Sequence, residues 1–146
     1  MRTISLGVIL IITVMVLTSG LAMAERLSIS SRIANIRSGP GTDYEILWKV
    51  EQYHPIEVLK KQGSWYYFRD FEGDEGWIHK SLTHKQATVI TIKEKCNVRK
   101  GPGTKHDIVF RIEKGIPFLI LERQNRWLQI KHADGDRGWI HKSLIW

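Results

Sequence analysis

The decisive stretch is NIRSGPGTDY (Asn35–Tyr44), because the chain writes it again as NVRKGPGTKH (Asn97–His106). An offset of roughly 62 residues aligns Ala34–Leu82 with Cys96–Leu144 without a gap, and about 21 of roughly 49 positions are identical. The identities cluster. RSGPGT meets RKGPGT, Trp65 meets Trp127, and EGDEGWIHKSL meets DGDRGWIHKSL. Self-similarity of this kind reads as two tandem copies of one unit. The five residues Thr83–Ala87 between them are too short for a free tether, so the units are expected to touch.

Within each copy the pattern is that of short strands. IANIR and CNVR alternate apolar and polar residues, as a strand with one face buried requires. EILWKV and DIVFRI follow the glycine loop. PIEVLKK and PFLILER open on Pro55 and Pro117, where a missing N–H is tolerated at a strand start. WYYFRD and WLQIKH come next. The turns Glu72-Gly73-Asp74 and Asp134-Gly135-Asp136 then lead into GWI, a hairpin signal. No stretch carries a helical period. The expectation is all-β, with two small, partly open barrels in tandem. A unit of about 60 residues has a thin core, and docking of two would add buried area.

Residues 1–24 stand apart. Arg2, the apolar run Ile4–Leu17 and the small-residue end Ala22-Met23-Ala24 have the form of a cleaved export signal. The run is short for a bilayer span of about 20 residues, so no stable membrane span is expected after cleavage. The expected divisions are a signal over 1–24 and barrels over 25–83 and 84–146, in an exported protein of the bacterial periplasm or, alternatively, secreted. The single Cys96 excludes an internal disulfide and reads as a core residue, matched by Ala34. A net charge of +7 reads as solubility or as attraction to anionic envelope polymers. No nucleic-acid signature accompanies it.

The run N-x-R-x-G-P-G-T-x-Y, followed by a strand pair, W(Y/L)x(F/I) and then xGxxGWIHKSL, resembles the bacterial SH3-like (SH3b) domain, twice over and across nearly the whole chain after residue 24. The resemblance implies a five- or six-stranded partly open barrel and a non-catalytic accessory role in the envelope. Such domains bind peptidoglycan stems or cross-bridges, or serve as targeting or protein-interaction modules.

Gly39, Pro40 and Gly41, with Gly101, Pro102 and Gly103, read as loop-shaping residues, since proline fixes its own φ and glycine tolerates either sign. Direct ligand contact is the other reading. Asn35, Arg37, Asn97 and Arg99 read as supports that tie loop carbonyls or bridge a carboxylate. Period two places Leu128 and Ile130 inward, and Trp65 and Trp127 therefore lean outward. A loop, the sister barrel or a ligand must cover each ring. The first copy adds Tyr44, Trp48 and Tyr67, and the second Phe110. These aromatics are the candidate ligand contacts. His79 and His141 repeat, yet each copy offers one histidine there, short of a zinc set. No metal or other cofactor is expected. The paired acids sit in turns, where charges ordinarily meet water. No nucleophile–base signature and no phosphate loop is present, so the chain is expected not to be an enzyme. Two functions remain: a binding module for peptidoglycan or wall peptides, or a structural module meeting protein peptides in the envelope.

Overall fold

The structure, a computed structural model, describes residues 23–146. The expected export signal therefore lies outside the described residues except for Met23 and Ala24. Thirteen strands and two short 3-10 turns make up the described chain, with no α-helix. In the first sheet the strands are β1 (Glu25–Ile29), β2 (Ile33–Arg37), β3 (Ile46–Glu51), β4 (Pro55–Gln62), β5 (Trp65–Arg69), β6 (Glu75–His79) and β7 (Thr83–His84), in the order β3-β2-β6-β5-β4-β1-β7. In the second they are β8 (Thr88–Ile90), β9 (Cys96–Arg99), β10 (Ile108–Ile112), β11 (Pro117–Gln124), β12 (Trp127–Lys131) and β13 (Arg137–His141), in the order β10-β9-β13-β12-β11-β8. Every assigned pairing is antiparallel, and β7 apart the orders match strand for strand.

The longest strands are β4 and β11, eight residues each. Register shifts between Val58 and Lys60 and between Ile120 and Glu122 leave Leu59 and Leu121 as bulges. Matching shifts leave Leu47 in β3 and Val109 in β10 unpaired. An extra residue on one strand kinks it and sends its own side chain away from the ladder. This explains why four large apolar residues, at matched places in the two copies, are exposed.

The inward face of each sheet closes on its own core. Leu27, Ile36, Ile56, Val58, Phe68 and Ile78 fill the first, and Val98, Phe118, Leu128, Ile130 and Ile140 fill the second. Cys96 is fully buried there. Its thiol lies 3.3 Å from the Lys93 carbonyl, and burial raises its pKa. The two cores hold the same large pieces in exchanged places. Ile56 and Phe68 face one core, and their matched positions are Phe118 and Ile130. One phenyl ring per barrel is kept while its strand of origin changes, which holds core volume nearly constant.

The segment between the barrels is tied down. β7 pairs with β1, the buried Ser28 hydroxyl donates to the Gln86 carbonyl (2.9 Å), and it lies 2.8 Å from His84 Nδ1. In the second copy the counterpart of the Ile29–Thr83 pair is a lone bridge, Thr91 to Ile145. Side chains also meet across the barrels. Lys114 Nζ is 2.8 Å from Glu72, and the Arg26 guanidinium stacks 4.0 Å from the Trp146 ring centroid.

Candidate functional site

The repeated loop is built by an arginine and a ring. Arg37 Nη1 donates to the carbonyls of Thr42 (3.0 Å) and Tyr44 (2.9 Å), and Arg99 Nη1 does the same to Thr104 (3.1 Å) and His106 (2.9 Å). The same arginines sit opposite Trp77 and Trp139, the bridges that join β2 to β6 and β9 to β13. The glycines have a different reason from the one read in the sequence. Neither Gly39 nor Gly101 adopts positive φ. A Cβ at Gly39 would overlap the ring of Tyr44, and one at Gly101 the ring of His106. These positions are small so that a ring can lie on the loop. Asn35 and Asn97 stand in strands, opposite Lys49 and Arg111, rather than on the loop backbone.

Trp65 and Trp127 have the parity read from the sequence. Leu128 and Ile130 are buried beside a half-buried Trp127. A neighbour other than a loop, the sister barrel or a ligand packs on each indole. It is the histidine on the neighbouring strand: Trp65 packs edge-on against His79 and Trp127 against His141, with ring centroids 5.2 Å apart in both. Trp65 pairs with His79, and Trp127 with His141, directly across the ladder. Each histidine is fixed from behind. His79 Nδ1 accepts from the Ser81 amide and lies 2.7 Å from its hydroxyl; His141 does likewise with Ser143. The sequence signal for this is H-K-S-L, a histidine two residues before a serine at a 3-10 turn. In the second copy the pair walls a cavity of about 330 Å³ with Lys95, Asn97, Arg99 and Thr104. The site therefore offers two ring faces, an amide and two cationic side chains.

The other candidate aromatics are dispersed. Tyr44 is exposed over the loop. Tyr67 bonds Glu75 through its hydroxyl, which raises its pKa, and stacks 5.2 Å from Trp77 on the outer face. Trp48 and Phe110 pack on the two cores and line cavities where the barrels meet. The exposed turn acids Glu72, Asp74, Asp134 and Asp136 line those same cavities. His54 reaches one of them. Burial pushes its pKa down to about 4, and the charge of Glu72 offsets this only in part. Its counterpart is Ile116, whereas His132 of the second copy matches Asp70. Asp70 holds its turn by accepting from the amides of Glu72 (2.9 Å) and Asp74 (3.0 Å). Among the described residues no three His, Cys, Asp or Glu side chains gather as a metal would need, and no helix is long and apolar enough to cross a membrane.

A family model described as a bacterial SH3 domain matches residues 30–85 and again 93–146. A Bacillus subtilis (strain 168) protein named "Putative N-acetylmuramoyl-L-alanine amidase YrvJ" is 25% identical over 122 residues, covering 76% of this chain and 23% of that one. "Probable cell wall amidase LytH" of Staphylococcus epidermidis is 31% identical over 61 residues, covering 41% and 21%. Among solved structures, an NlpC/P60 family protein from Bacillus cereus overlays with a TM-score of 0.40 at 12% identity, covering 83% of this chain and 55% of that chain. NlpC2 from Trichomonas vaginalis gives 0.39 at 11%, covering 87% and 49%. The chain spans less than a quarter of the length of these curated relatives. The expectation that it is not an enzyme is corrected by them, since both are named as amidases. Motif absence spoke for this stretch alone, while the matching stretch in each relative belongs to a protein named for amide hydrolysis.

Proposed function

The chain belongs to the bacterial SH3 domain family, as two tandem copies, and from that premise we propose that it holds the peptides of peptidoglycan for amidase-type hydrolysis of the cell wall. Its place is then the envelope, in the periplasm or outside the cell. The observation that carries this reading is the Trp127–His141 pair, walling a cavity with Lys95 and Arg99. Wall peptides carry carboxylates and short aliphatic side chains. Cationic side chains suit the first, through charge-assisted hydrogen bonds. Fixed ring faces suit the second at little entropic cost. The names of the relatives supply the substrate class.

Pelleting of the purified protein with isolated sacculi tests it. The protein should pellet, and the pelleting should survive 0.5 M salt, because ring contacts are not screened. Trp65→Ala with Trp127→Ala should weaken it by about tenfold or more, the usual consequence of losing an anchoring indole. Pelleting that vanishes in salt, or that the double variant leaves unchanged, would reduce the interaction to bulk charge.

A further inference from the structure

We propose that the junction of the two barrels is a site for a primary ammonium group, supplied by the free amino group of a diamino acid in a wall peptide; the source, though not the chemistry, rests on the reading above. Two adjoining cavities of about 500 and 460 Å³ share Glu51. Glu113, Asp134 and Asp136 of the second barrel line the first cavity, and Asp70, Glu72 and Asp74 of the first barrel line the second. Seven of the fifteen carboxylates of a chain with net charge +7 thus face one place. Lys49 and Arg111 are the lysine and arginine in those walls. Such crowding of like charge is costly unless a cation enters. Glu72 is met by Lys114 and Asp134 by His132. Among the described residues Glu51, Asp74, Glu113 and Asp136 make no side-chain hydrogen bond or ion pair.

His54 gives a second, independent sign. It is more than nine-tenths buried and lines the second cavity, and among the described residues its Nε2 has no hydrogen-bond partner. The nearest carboxylate oxygen, Asp70 Oδ2, is 3.9 Å away, beyond bonding distance. Buried polar atoms are rarely left so. A donor lodged between imidazole and carboxylate would satisfy both.

The chain's own Lys114 displays the chemistry at the rim. Its Nζ sits 2.8 Å from Glu72 Oε1 and 5.9 Å from the centroid of Phe71. Carboxylate plus ring face is what an alkyl ammonium prefers. Trp48, Phe110 and Phe118 offer apolar wall for a methylene stem. The volumes suit a side chain rather than a protein face.

The test titrates the purified protein with Nα-acetyl-L-lysine N-methylamide while amide resonances are followed by NMR. Saturable shifts at Glu51, Phe71 and Gly115 are expected. The norleucine compound, which keeps the four-carbon stem and lacks the ammonium, should cause none. Glu51→Gln, at an exposed position, should weaken the lysine compound by about tenfold or more, as loss of a charge-assisted hydrogen bond does. Equal binding of the norleucine compound, shifts confined elsewhere, or indifference to Glu51→Gln would overturn the proposal. A second arm uses sacculi with acetylated amino groups. Reduced pelleting of the wild-type protein, but not of Glu51→Gln, supports the wall as source, and no effect of acetylation overturns it. If untreated sacculi fail to pellet the protein while the lysine compound binds, the wall reading falls and the ammonium chemistry stands.

Discussion

His54 and Tyr53 show how much one position can differ between otherwise matched copies. The buried ring of His54 is neutral in the folded protein, with a pKa of about 4 against an ordinary 6.5. Its contribution is complete above pH 6.5. As pH falls toward 4 the unfolded chain binds the extra proton first, and up to about 3 kcal/mol of stability is lost. Urea unfolding at pH 7 and 4.5 should therefore show a steep acid weakening that His54→Ile, copying Ile116, largely removes; an unchanged slope would refute this origin. Tyr53 holds φ at 72°, where the second copy uses Gly115 at 87°. A bulky residue in that region is strained by about 1 kcal/mol. Tyr53→Asn should raise the melting temperature by a few degrees in calorimetry, given that Asn125 takes a similar conformation without glycine. Neither residue announced itself in the sequence, because burial and backbone sign are set by neighbours distant along the chain. The arginines of the loop were more legible, since their partners lie within seven residues.

Strands were legible wherever alternation was strict: Leu128 and Ile130 against Trp127 and Gln129 gave the face of β12 correctly. The bulges were not, because Leu59 and Leu121 are apolar whether they face the core or water. Their exposure makes Leu59→Ser nearly neutral, within about 0.5 kcal/mol, while Phe68→Ala should cost about 3–5 kcal/mol. The exchanged core pieces allow a sharper test. Phe68→Ile leaves a void and Ile56→Phe overfills, each costing about 1–3 kcal/mol. Made together they restore the arrangement of Phe118 and Ile130, so the double variant should be more stable than the sum of its parts by denaturant midpoint. Strict additivity would show that the two positions do not share a packing space. Tight approach, by contrast, governs Gly76. A Cβ there would overlap Ile36 and press on Trp48, at the seam that closes the barrel.

At the scale of the whole molecule, the sequence announced duplication and contact between the copies but not what the contact would hold. Its carboxylates come from a strand end and from turns spread between Glu51 and Asp136, far apart along the chain. Only docking makes them neighbours. The tie at Ser28 bears on that docking. Ser28→Ala leaves the Gln86 carbonyl and His84 Nδ1 without their partner, at a cost of about 1–3 kcal/mol. Hydrogen exchange should then rise in Thr83–Ala87 ahead of either barrel. The reciprocal exchanges carry a consequence for inheritance. Phenylalanine and isoleucine trade places across the hairpin, and the histidine moves from its start (His54, matched by Ile116) to its end (His132, matched by Asp70). A genetic crossover inside that hairpin would make hybrids with two phenyl rings in one interior or none, and with two histidines in one joint or none. The halves still look alike on paper, but recombination between them is penalised there, and each has become the custodian of its own complement.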